Sequence, residues 1–110
     1  MIGIDIVETK RFEKPKQSFA KMFCEHELKY AKKFSDPHVH LAGFWAAKEA
    51  FLKALGTGIT SLELNKICVL HDASNKPYLE IDDDLKQKLG VQKKTFEISI
   101  SHTKEIAASI

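Results

Sequence analysis

Several things are scarce in this chain of 110 residues. It has two cysteines, Cys24 and Cys68, and no CxxC pair. A small domain stapled by disulfides would carry more of them. Neither Cys24 with His26 nor Cys68 with His71 has the spacing of a common zinc finger. Both cysteines therefore read as reduced, mostly buried thiols. No apolar run approaches the roughly 20 residues of a membrane span. The opening MIGIDIVETKRF has no basic stretch before its apolar residues, so it does not read as a secretory signal, and a cytoplasmic location is expected. Neither sign of charge dominates: 17 Lys+Arg stand against 15 Asp+Glu. That balance argues against a nucleic-acid binder, and the aromatic residues are not interleaved with the bases as stacking platforms would be.

What is present suits one globular domain. Hydrophobic residues make up 44% and charged residues 29%, which separates the chain from disordered sequences. Size scaling lets such a chain bury about two-thirds of its surface. The charge is uneven. Residues 9–33 hold eight bases (Lys10, Arg11, Lys14, Lys16, Lys21, Lys29, Lys32, Lys33) and three acids, a net of +5. The remainder has nine bases and twelve acids, a net of −3. Such a stretch is either a solvated helical face or a docking patch for an acidic partner.

Periodicity outlines the elements. Residues 1–7 alternate as a strand, with Ile2, Ile4 and Ile6 on one side and Gly3 and Asp5 on the other. Residues 8–13 begin a short helix that Pro15 interrupts, and Phe19, Met22 and Phe23 suit a further turn. Residues 25–34 continue as helix until Asp36-Pro37 breaks it. The clearest helix covers residues 38–55 and ends at Gly56. It is apolar on more than one face and should lie centrally. Residues 67–71 and 78–81 read as a hairpin, 82–89 as a short helix, and 94–102 and 106–110 as two last strands. Helices grouped between antiparallel strands indicate an α+β fold, a single small domain with helices packed on an antiparallel sheet.

Few polar residues interrupt these patterns. Glu49 and Lys53 stand at i and i+4 on the central helix, the spacing of a simple surface ion pair. Lys48 precedes them. Asp5 is costlier: a mid-strand acid must be solvated, paired or metal-bound. Either it faces solvent, or it is half of a divalent-metal site that Glu49 would complete. Mg²⁺ favours one or two carboxylates with phosphate oxygens. His102 ends a strand, where an imidazole can meet a phosphate or assist proton transfer.

Three blocks together resemble a known family. Gly3–Glu8 (GIDIVE), residues 44–59 (FWAAKEAFLKALGTGI) and residues 98–103 (ISISHT) are similar to the holo-(acyl carrier protein) synthases, the small bacterial 4′-phosphopantetheinyl transferases. The resemblance implies transfer of the 4′-phosphopantetheine arm of coenzyme A to a serine of apo-acyl carrier protein, releasing 3′,5′-ADP in support of fatty acid biosynthesis. It implies Mg²⁺ on Asp5 and Glu49, and catalytic roles for Glu49, Lys53 and His102. Lys48, Lys53, Gly56, Gly58, His102 and Thr103 would bind coenzyme A. Lys10, Arg11, Lys14 and Lys21 would dock the acidic carrier protein. It implies a homotrimer with sites at subunit interfaces. Phe44 stands where the family often has a basic residue, so a phosphate contact there is lost or passed to another residue. The rival reading is a non-catalytic module that holds an acidic protein through residues 9–33 and is indifferent to Asp5 and Glu49.

Overall fold

Helix-forming residues with no interior proline dominate residues 37–55, and the strands and helix that flank this segment pack against it. The structure is a computed structural model; it describes residues 2–57 and 64–109, the last four by their backbone. In chain order, β1 (Asp5–Glu8) leads into a 3₁₀ turn at Thr9–Phe12. Two short helices follow, α1 (Phe19–Met22) and α2 (Glu25–Ala31), then the long α3 (Pro37–Leu55). A 3₁₀ turn at Leu64–Lys66 precedes the hairpin β2 (Ile67–His71) and β3 (Pro77–Ile81). Helix α4 (Asp83–Leu89) and strands β4 (Ile100–His102) and β5 (Ile106–Ser109) complete the described elements.

The architecture is α+β, with antiparallel sheets, as expected. Strands β1, β5 and β4 form one sheet in that order, with Asp5 opposite Ser109 and His102 opposite Ala107. β2 and β3 form a separate hairpin. α3 lies between them. Val39, Leu41, Ala42, Phe44, Ala46, Ala47, Ala50, Phe51 and Leu52 are all buried, so both faces of the helix are covered. Pro37 starts it, at the first-turn position where its missing N–H costs nothing. Gly56 ends it in the left-handed conformation, φ 75°.

Packing settles two points about the strands. Ile2, Ile4 and Ile6, one of the two faces of β1, are 77%, 58% and 67% exposed. Gly3, Asp5 and Val7 turn inward instead. Alternation defines two faces without saying which is inside; the approach to α3 decides it. A Cβ on Gly3 would overlap the Ala50 carbonyl oxygen and lie 2.8 Å from the Ala54 nitrogen. Only glycine lets β1 rest on the helix there. β1 lies at the edge of its sheet. The second point concerns residues 94–102, of which only Ile100–His102 pair as a strand. β5 is four residues long, and upstream Phe96 packs on Phe51 of α3, ring centroids 4.8 Å apart. The helix replaces the sheet as its partner.

Replacing Gly3 by Ala should therefore push backbone against backbone and cost about 1–3 kcal/mol. The expected drop in melting temperature is about 4 °C or more. An unchanged melting curve would mean that β1 can stand away from α3.

Candidate active site

β1 and α3 bring together three of the residues singled out from the sequence. Asp5 enters from β1 with its side chain 11% exposed. Its Oδ1 accepts a hydrogen bond from Lys53 Nζ at 2.8 Å, and the same ammonium donates to the Ile4 carbonyl at 3.2 Å. Glu49 stands one helical turn before Lys53. Burial pushes the Glu49 carboxyl up, and the negative charge of Asp5 pushes it further, against the pull of Lys53 and Arg11. The hydrogen bond that Lys53 donates to Asp5, then the charge of Asp5, push the Lys53 ammonium up as well. Glu49 and Lys53 are thus more than a simple helical pair: both answer to Asp5.

Two partly desolvated carboxylates, one of them with its proton affinity raised by burial and by the other's charge, are the donor set of a hard divalent cation. The residues fit Mg²⁺ on that ground. Arg11 extends the positive side of the cluster. Its guanidinium lies 5.5 Å from the Trp45 ring centroid and 5.6 Å from that of Phe12, close enough to act on Glu49. The other bases expected at a docking surface, Lys10, Lys14 and Lys21, are exposed, with Lys10 3.2 Å from Glu8.

His102 and Thr103 lie elsewhere on the chain. The His102 ring is 5.3 Å from that of His40, near the start of α3. His40 precedes Glu49 by nine residues, about 13 Å along a helix axis. Around His102 is a cavity of about 210 Å³ whose walls include Tyr30, His40, Phe44, His71 and Asn75. The Tyr30 and His71 rings stack at 4.1 Å, and His71 Nδ1 is buried with no hydrogen-bond partner among the described residues. Burial, then the charges of His102 and His71, push the His40 imidazole down. Burial and His26 do the same to His71, with Asp72 opposing and Lys33 adding to the effect. No local motif announced this cluster, because its members come from α2, α3, β2 and β4. Gly56 lies at the opposite end of α3, where a Cβ would meet nothing within 4 Å among the described residues. Gly58 lies outside the described residues.

Lys48 is corrected outright. Expected to contact coenzyme A, it is completely buried. Its three N–H donors are all taken, by Glu27 Oε1 at 2.6 Å, Met22 O at 2.7 Å and Leu64 O at 3.0 Å. Glu27 Oε1 also accepts from the Cys24 N–H, and Oε2 from the Val69 N–H at 2.8 Å. Burial drives the carboxyl up and the amine down, and their mutual attraction opposes both. Sequence proximity to Glu49 concealed this role, since adjacent helical residues point about 100° apart.

The cysteines are corrected too. Cys24 and Cys68 are joined in a disulfide, Cα atoms 5.8 Å apart, and half-buried rather than free. Folding sets the residue before α2 beside β2, and a separation of 44 residues carried no sign of that. Their sulfurs and a Glu27 oxygen lie within 4.8 Å of one another. With the sulfurs bonded to each other and both Glu27 oxygens already accepting, that group offers no ligand set to a metal ion.

Comparison with known proteins follows the same lines. The family model for the 4′-phosphopantetheinyl transferase superfamily matches residues 1–109. The holo-[acyl-carrier-protein] synthase of Treponema denticola is 39% identical, over 99% of this chain and 93% of its own. That of Clostridium tetani is 38% identical, over 96% and 88%. The Helicobacter pylori holo-[acyl-carrier-protein] synthase, solved in complex with coenzyme A, superposes with a TM-score of 0.81 at 31% identity, covering 99% of this chain and 96% of its own.

Two outcomes test these assignments. Lys48→Met strands a buried carboxylate and should cost about 3–5 kcal/mol in urea unfolding, most of it recovered in the Lys48→Met, Glu27→Leu double variant. Full stability with lost coenzyme A binding would return Lys48 to the ligand. His40 and His71 have folded values below 6.5, so the unfolded chain binds their protons more readily. Their contribution is fully present above pH 6.5 and is lost as pH falls through the lower folded values. Urea midpoints from pH 8 to 5 should decline, and less steeply in a His40→Gln, His71→Gln variant.

Proposed function

Since the chain belongs to the 4′-phosphopantetheinyl transferase superfamily, among its holo-[acyl-carrier-protein] synthases, we propose a division of labour in the transfer from coenzyme A to acyl carrier protein. The observation that carries it is the Asp5–Glu49–Lys53 cluster. Asp5 and Glu49 are the residues to hold Mg²⁺. When bound, Mg²⁺ supplies charge neutralisation of the pyrophosphate. The carrier's serine hydroxyl attacks the β-phosphorus; its O–P bond forms as the bond to 3′,5′-ADP breaks. Lys53, exposed and already protonated, answers the charge that develops on the leaving phosphate. Glu49, whose proton affinity is raised, orients the hydroxyl or a water that receives its proton. Alignment and charge do most of the work, because phosphoryl transfer needs little covalent help.

His102 and Thr103 form the coenzyme's other flank, but from a neighbouring copy. On one chain they are grouped with His40, well along α3 from Glu49. The exposed Ile2, Ile4 and Ile6 on edge strand β1 supply an apolar seam for a homotrimer. The carrier, an acidic protein, docks on Lys10, Arg11, Lys14 and Lys21, and salt weakens that encounter. We assign the reaction to fatty acid biosynthesis in the cytoplasm. No helix among the described residues is long and apolar enough to cross a membrane.

Incubation with apo-carrier, coenzyme A and Mg²⁺ should add one phosphopantetheine arm to the carrier, read by mass. Asp5→Ala and Glu49→Ala should each lose about 10²–10³-fold in rate with the fold intact. Ile4→Asp should release monomers in sedimentation and lose activity with them. No mass gain under any condition, with tight carrier binding, would leave the binding module as the reading.

A further inference from the structure

Outside the cluster that carries the chemistry, an open cleft among the described residues has a disulfide in its wall. We propose that Cys24 and Cys68 form a reversible thiol–disulfide site, exchanging with a low-molecular-weight disulfide such as oxidised glutathione, whose closure locks the α1–α2 corner onto β2. Access comes first. Both cysteines are half-buried and line a cleft of about 690 Å³, together with His26, Asn65, Glu80 and Lys86. A small thiol can reach them there without unfolding the chain.

Reversibility follows from a second anchor at the same place. Cys24 joins α1 to α2, and its N–H donates to Glu27 Oε1 at 2.9 Å. Val69, the residue after Cys68, donates its N–H to Glu27 Oε2 at 2.8 Å. Lys48 holds the Met22 carbonyl, two residues before Cys24, at 2.7 Å. Phe23, Ile67 and Val69, which flank the two cysteines, are fully buried. When the S–S bond opens, Glu27 and Lys48 still hold both cysteine backbones in place. The dithiol is therefore folded and its sulfurs stay near one another, so the bond can close again.

The exchange balances. One cysteine thiolate attacks a sulfur of glutathione disulfide, whose S–S bond breaks and releases one glutathione thiolate. The second cysteine attacks the mixed disulfide and releases the other. The two cysteines lose two electrons and two protons, and glutathione disulfide gains them. Closure ties together positions 44 residues apart and removes freedom chiefly from the unfolded chain.

The native protein is equilibrated in glutathione buffers from reducing to oxidising, quenched with N-ethylmaleimide and weighed. The expected result is a single transition from two adducts to none, the same from both directions. The oxidised end should melt about 10 °C or more above the reduced end. Amides of residues 19–31 should exchange more slowly in the oxidised form. Cys68→Ser and Cys24→Ala, each checked for native circular dichroism, should melt like the reduced wild type at every ratio. Two adducts at every ratio overturn the proposal. So does a bond that excess dithiothreitol opens only after denaturation, or equal melting of the two forms.

Discussion

A single buried ammonium sets the geometry on which the rest of the molecule depends. Lys48 sits in the middle of α3 and reaches Glu27 of α2, the end of α1 and the turn before β2. The Lys48 ammonium itself is fully buried, and an unmet charge there costs several kcal/mol. The helix cannot rotate about its axis without stranding one of those contacts. Once Lys48 is committed to that side, Glu49 is turned toward β1 by the helical step of about 100°. Asp5 and Lys53 then meet across the β1–α3 contact that Gly3 allows. Core and site share one backbone segment, and the pair that looks dispensable for chemistry holds the chemistry in position.

The site itself is electrically strained in a useful direction. Asp5 and Glu49 raise the cost of keeping both carboxylates ionised, and Lys53 and Arg11 offset only part of it. A fold selected for stability alone would separate those acids. On the proposed reading, that repulsion is what a bound cation would relieve. The imidazoles of His40 and His71 are the opposite case, bases whose proton affinity is lowered by burial and by neighbouring positive charge. The two clusters are separated along α3, His40 preceding Glu49 by nine residues.

Much of this was legible from the residues. The central helix, its glycine terminus, the hairpin and the capped α4 all followed from spacing and from caps that act locally. Asp5, Glu49 and Lys53 were legible because an acid in a strand and a lysine in an apolar helix break a pattern. Other features depended on long-range packing. The disulfide joins residues that no local rule relates. His40 and His71 carried no motif. The outward face of β1 was hidden because alternation is symmetric between its two sides, and the shortened β4 because Phe96 found a helix rather than a strand.

The chain by itself determined the α+β order of elements, the family blocks and the chemical types at the site. Those are matters of period, cap and residue identity, each set within a few positions. Tertiary structure alone decided which way Lys48 and Ile4 point, that Cys24 meets Cys68, and that His102 stands apart from Glu49. Each of these depends on which surfaces meet across tens of residues, and burial, which sets the cost of every charge and thiol involved, exists only once they have met.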